Sequence, residues 1–282
     1  MADFEVLVDG VDFGEGPRWH DGRLWYSDFY QHAIYAVDLD GNRETILEVD
    51  GQSSGLGWLP DGTLLFVSML DRKVMRWDGS TVTEHADLSS IATFHCNDMV
   101  VSATGHAYVG NFGWDLFSEG VEGARPATLA HVAPDGTATA AAGDLGFPNG
   151  SVITPDGSTL IVGETMGARY TAFTIDDDGS LGDRRLWASV EGYAPDGCTL
   201  DADGGIWFAD ALGARLVRVV EGGEITDTID TGVGTFACAL GGDDGRTLFV
   251  LTAPGADPAE VDGVAGGSIL TTRVASPHAG LP

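Results

Sequence analysis

Basic residues are scarce in this chain. Against 43 aspartates and glutamates stand only 14 lysines and arginines, a formal net charge of −29, and Lys73 is the sole lysine. So acidic a surface repels phosphate backbones and anionic headgroups, which excludes nucleic acid and membrane as expected partners. The acidic residues are spread along the chain and do not mark a disordered tail. Cysteine is rare too. Cys96, Cys198 and Cys238 form no CxxC pair, and each sits in an apolar, strand-like run, where a buried free thiol is expected. No run approaches the roughly 20 apolar residues a membrane helix needs. The leading Met1-Ala2-Asp3-Phe4-Glu5 is acidic rather than basic-then-apolar, so no signal peptide is expected and the chain reads as cytoplasmic. Long amphipathic helical patterns, a GxSxG serine elbow and a Gly-rich phosphate loop are all absent.

What is plentiful is glycine, 41 residues with no collagen period, which points to many tight turns. The turns fall within a repeat. Its cleanest copy runs from Ala194-Pro195-Asp196-Gly197-Cys198 through Phe208-Ala209-Asp210. Other copies open at Glu15-Gly16-Pro17, Ser54-Gly55-Leu56, Cys96-Asn97-Asp98, Pro148-Asn149-Gly150 and Phe236-Ala237-Cys238. Counted from Glu15 through Gly55, Asn97, Asn149 and Asp196 to Ala237, the spacings are 40, 42, 52, 47 and 41 residues. Each unit holds an apolar strand, a turn such as Asp61-Gly62 or Asp156-Gly157, and two or three further strands. A period of about 40 to 50 with short strands fits one propeller blade per repeat. The expectation is an all-β, six-bladed β-propeller of four-stranded blades, a single domain over residues 1–282. The sixth repeat ends near Val274 without a fourth strand, so the N-terminal strand around Phe4 to Val8 should pair into it and close the ring. Longer loops are expected around Trp114 to Pro126 and Ala253 to Gly267.

Four of the six openings carry a carboxylate or an amide at the matching point: Glu15, Asn97, Asn149 and Asp196. In a propeller the innermost strands line the tunnel, so these residues, far apart in sequence, would meet at one end of it. Two carboxylates and two amide oxygens make a hard donor set for Ca²⁺, or for Mg²⁺ or Mn²⁺; Zn²⁺ could also be accepted. The ordinary reading of Asp or Asn before Gly is a turn, but these precede an apolar strand at one phase of a repeat. Trp19, Trp58, Met69, Phe112, Trp114, Met166 and Tyr193 are candidates for the pocket wall or for core. Glu164 and Asp210 either face the tunnel mouth or cap a strand.

The blocks Glu15-Gly16-Pro17-Arg18-Trp19, Asn97-Asp98, Phe147-Pro148-Asn149-Gly150 and Pro195-Asp196-Gly197 resemble the SMP-30/gluconolactonase/LRE family, in order and spacing, over nearly the whole chain. The resemblance implies a divalent cation in the tunnel held by Glu15, Asn97, Asn149 and Asp196. It puts the base or nucleophile on Asp196 and a second polar residue beside the substrate on Asp98. His95 stands where sugar-lactone members often carry an arginine. The function so implied is metal-dependent hydrolysis of a lactone or related ester, with His95 or Asp98 orienting substrate or relaying a proton. Trp19, Phe112, Trp114 and Met166 would contact the substrate, and an aromatic mouth would favour an apolar ester or lactone. Organophosphate hydrolysis or lyase chemistry at the same centre stays open, as does a non-catalytic metal-binding propeller. The chain is expected to be a monomer or weak homo-oligomer.

Overall fold

The computed structural model describes residues 3–282; Met1 and Ala2, the start of the acidic leading segment, lie outside the described residues. Six four-stranded antiparallel sheets follow one another around a ring, a six-bladed β-propeller. The innermost strands are Gly14–His20, Ser53–Trp58, Cys96–Val101, Pro148–Ile153, Pro195–Leu200 and Thr235–Gly241. We number the blades one to six in that order, and call upper the end of the tunnel where these strands begin. The next strands outward are buried, Leu64–Ser68 and Ile206–Asp210 along their whole length, because each is sandwiched between neighbouring blades. Outermost strands such as Arg43–Glu48 are largely solvated. Between the blades lie separate apolar clusters: Val152, Tyr170, Trp187 and Phe208 pack blade four on blade five. The three cysteines are free and buried, as expected.

Blade six lacks an outer strand from its own repeat. Glu5–Val11, at the other end of the chain, pairs antiparallel with Gly267–Arg273 and supplies it. The strand starts one residue later and runs three further than the sequence suggested. Both long loops are on the upper side and each holds a single helical turn, Leu116–Glu119 and Pro258–Val261.

One element had no sequence signal. The last residues cross the lower end of the tunnel as a strap. His278 N–H donates to Gly245 O in blade six, Ala279 N–H to Leu200 O in blade five, and Ile153 and Leu281 of blade four and the strap exchange both backbone bonds. Leu281 and Pro282 then close a cavity of about 220 Å³ against Arg18, Trp19, Leu56, Trp58 and Val101 of blades one to three.

Candidate functional site in the upper tunnel

Every innermost strand carries a β-bulge just after it begins. Gly14, Ser53, Cys96, Pro148, Pro195 and Thr235 each pair with the last residue of the second strand, and the register slips by one beyond them. The residue following each is therefore equivalent around the ring: Glu15, Ser54, Asn97, Asn149, Asp196 and Phe236. A bulge re-aims side chains, and here it brings one residue per blade to the tunnel. The spacing counted above to Gly55 and Ala237 was one residue late, because the bulge makes Ser54 and Phe236 the true counterparts. One residue further on, most blades have glycine. A Cβ on Gly55 would stand 2.2 Å from Met99 N, and one on Gly150 2.3 Å from Asp196 O, so adjacent innermost strands touch backbone to backbone.

The four oxygen donors are all buried. Burial first, then the nearby charges of Asp196 and Asp98, push the Glu15 carboxyl well above its usual range. Burial also raises Asp196, to about 8, with the Asn149 amide opposing the shift and the Asp98 charge adding to it. Asn149 Nδ2 donates to Thr165 Oγ1 at 3.0 Å, and that hydroxyl donates to Pro195 O at 2.7 Å. The amide is thereby oriented, and its Oδ1 is left buried without a hydrogen-bond partner. Ser54 Oγ is buried and unpartnered as well. An orphaned carbonyl oxygen beside two carboxyls that resist losing their protons is what a hard cation would satisfy, so the residues present fit such a group. Among the described residues no three His, Cys, Asp or Glu side chains gather at metal-binding spacing. The donor set therefore rests on its amides as much as on its acids.

Asp98 is differently placed. It occupies the phase that is glycine in four other blades, directly over Gly55, and points to Arg18 at 2.6 Å. Arg18, itself buried, also donates to the backbone oxygens of Pro17, Leu56 and Met99. This ion pair ties blades one, two and three together below the donor ring, and sequence reasoning missed Arg18 because its partner is 80 residues away. Glu164 and Asp210 are strand caps. Each ends a second strand, and together with Asp28 they accept the backbone N–H groups of Gly146, Ala194 and Phe13, which lead into the Asn149, Asp196 and Glu15 bulges. Arg169 and Arg215 pair with Glu164 and Asp210 from outside.

The expected wall divides. His95 lies at the mouth, stacked on Phe94 with ring centroids 4.0 Å apart and edge-on to Phe112 at 6.1 Å; burial lowers its imidazole pKa. Phe112 packs on Phe147 at 4.5 Å, and Met166 stands exposed on an upper loop. Trp114 is buried and its indole N–H holds Gly120 O, so it anchors its loop and does not line the mouth. Met69 is likewise core. Trp19 and Trp58 are at the wrong end: four residues along a strand is about 13 Å, and both line the lower cavity beneath the strap. The pattern had hidden this because a strand's first and last residues look alike in sequence. Phe13, Phe147 and Phe236, not anticipated, surround the donors instead, with Phe13 and Phe236 at 4.7 Å.

A propeller whose upper tunnel is ringed by buried oxygen donors is thus the class defined by the geometry. The SMP-30/Gluconolactonase/LRE-like region matches residues 13–254, and the chain belongs to that family. A 6-deoxy-6-sulfogluconolactonase of Pseudomonas putida is 31% identical over 161 residues, 55% of either chain. The chain therefore spans about half the length of that relative. The pentonolactonase XacC of Haloferax volcanii is 28% identical over 273 residues, 94% of this chain and 89% of its own. Regucalcin of Agrobacterium tumefaciens, described as a calcium-binding protein, superposes with a TM-score of 0.82 at 22% identity, covering 100% of this chain and 97% of that one, a likeness of fold. Among the described residues no helix is long and apolar enough to cross a membrane.

Proposed function

We propose that the protein hydrolyses a lactone or related ester at a divalent cation held by Glu15, Asn97, Asn149 and Asp196. The observation that carries this is the unpartnered Asn149 Oδ1, aligned by Thr165 beside a carboxyl that burial raises to about 8. The names of the sugar-lactone hydrolases among the relatives support the reaction class. When bound, Ca²⁺, Mg²⁺, Mn²⁺ or Zn²⁺ would polarise the substrate carbonyl and offset the charge building on its oxygen. Asp196 takes the proton from the attacking water. The acyl C–O bond of the ring breaks, the departing alkoxide takes that proton, and the hydroxy acid leaves as its carboxylate with one proton released. Asp98, held by Arg18, keeps the neighbouring strands in place, and neutral His95 offers a hydrogen bond at the mouth.

The test is a panel of lactones and aryl esters assayed with and without EDTA. Turnover that disappears on chelation and returns with added Ca²⁺ or Mn²⁺ is expected. Turnover that survives complete chelation contradicts the reading. Cation binding with no turnover across the panel would instead make the protein a binding module.

A further inference from the structure

We infer that the substrate at this site is a neutral lactone or ester whose acyl or alkoxy part is apolar, and not a polyhydroxylated or sulfonated sugar lactone. This rests on the hydrolase reading above and narrows it. Around the donor ring the wall is aromatic. Phe236 takes the sixth ring position, against Phe13, while Phe147 and Phe112 stand beside the Asn149 strand. Above them the loops joining second to third strands carry apolar side chains held out in solvent: Phe117 is 53% exposed, Met166 41% and Leu212 87%. These come from blades three, four and five, and Leu70 of blade two and Val264 of blade six are exposed on the same side.

The arginines that would hold an anion are already occupied. On the upper side Arg125 pairs with Glu119, Arg169 with Glu164 and Arg215 with Asp210, while Arg72 donates to Ala92 O. Arg18, below the ring, belongs to Asp98. The upper loops add carboxylates, among them Asp50, Asp71, Asp115, Glu191 and Asp257, in a chain of net charge −29. A sulfonate or other anion approaching this mouth is repelled, and the hydroxyls of a polyol that face the aromatic wall would go unpaired there. A neutral ester with an alkyl chain meets neither penalty. Its product is a carboxylate, which the same acidic rim would push out.

The experiment is a chain-length series from γ-butyrolactone through γ-octalactone, set beside glucono-δ-lactone and a sulfonated gluconolactone, at saturating Mn²⁺ or Ca²⁺. kcat/KM is expected to rise about three- to fourfold per added methylene over the first few carbons, the worth of a buried CH₂. The sugar lactones should fall at least about tenfold below octalactone, the cost of one unpaired buried hydroxyl. Leu212→Ser and Phe117→Ser, both on exposed loop tips and checked for unchanged melting, should flatten the series. A glucono-δ-lactone or sulfonated lactone turned over as fast as octalactone overturns the proposal and leaves the hydrolase standing. If no lactone turns over, calorimetry with lactams of matched chain length separates the two claims. Affinity climbing with chain length would keep the apolar mouth and discard the hydrolase; a flat series would discard both.

Discussion

Glu15 and Asp196 are buried together, and the arginine nearest them is committed to Asp98. Their raised pKa values mean that the folded, cation-free protein binds protons the unfolded chain has released between about pH 4 and Asp196's value of about 8. Stability of the chelated protein should accordingly fall as pH rises through that window. Added Ca²⁺ should restore it, most strongly at the alkaline end, and binding near neutrality should release protons. Melting curves with EDTA and with Ca²⁺ from pH 5 to 8.5 check this; a chelated protein whose midpoint climbs with pH would contradict it. The Arg18–Asp98 pair yields a second outcome. Arg18→Met leaves a buried charge without its partner and should cost about 3–5 kcal/mol, while Asp98→Asn in the same background should recover much of it. Denaturant unfolding of the single and double variants measures both. Of these residues the oxygen donors were legible in sequence, because four repeats offered one polar residue at one phase. Arg18 was not: it occurs in one blade only, and what gives it meaning is a contact 80 residues on.

The element that places the donors is the bulge together with the carboxylate closing the neighbouring strand. Asp28, Glu164 and Asp210 hold the segments entering the Glu15, Asn149 and Asp196 bulges. Asp210→Ala should lower Ca²⁺ affinity by about tenfold, the scale of losing an outer support for a metal ligand, although residue 210 is no ligand itself. Calorimetric titration gives the number, and an unchanged affinity would show that the Asp196 bulge stands without its clamp. The strands and turns around this element were readable from Asp-Gly pairs and apolar runs. The bulge was not, since an inserted residue leaves composition and alternation nearly unchanged; the repeat spacing alone therefore points to Gly55, one residue past the true counterpart Ser54. The ends of strands are equally opaque, so the sequence, which offers Trp19 and Trp58 for pocket wall or core, does not show that both line the lower end of the tunnel.

At the scale of the molecule the ring is fastened twice, by the N-terminal strand in blade six and by the C-terminal strap beneath blades four to six. The first closure was readable, because a repeat short of a strand and a strand without a repeat complete each other. The strap has no periodicity; its bonds run to backbone groups at the lower ends of other blades. Truncation after Ala275 removes five backbone hydrogen bonds, to Gly245, Leu200, Ala202 and, twice, Ile153. At about 1 kcal/mol each, and about 2–4 °C of midpoint per kcal/mol for a chain of this size, the melting temperature should drop by roughly 10–20 °C. A truncated protein that melts with the full chain would assign the strap no structural role. What joins all three scales is the claim that Asp196 both holds the cation and takes part in the reaction. Asp196→Asn keeps size and one oxygen donor, so the fold should persist. The measurement is its lactone turnover at saturating Ca²⁺ and Mn²⁺. A loss of at least about 100-fold is expected, the usual scale for removing a general base; recovery of near-wild-type turnover at high metal would make Asp196 a ligand only and contradict its role as base.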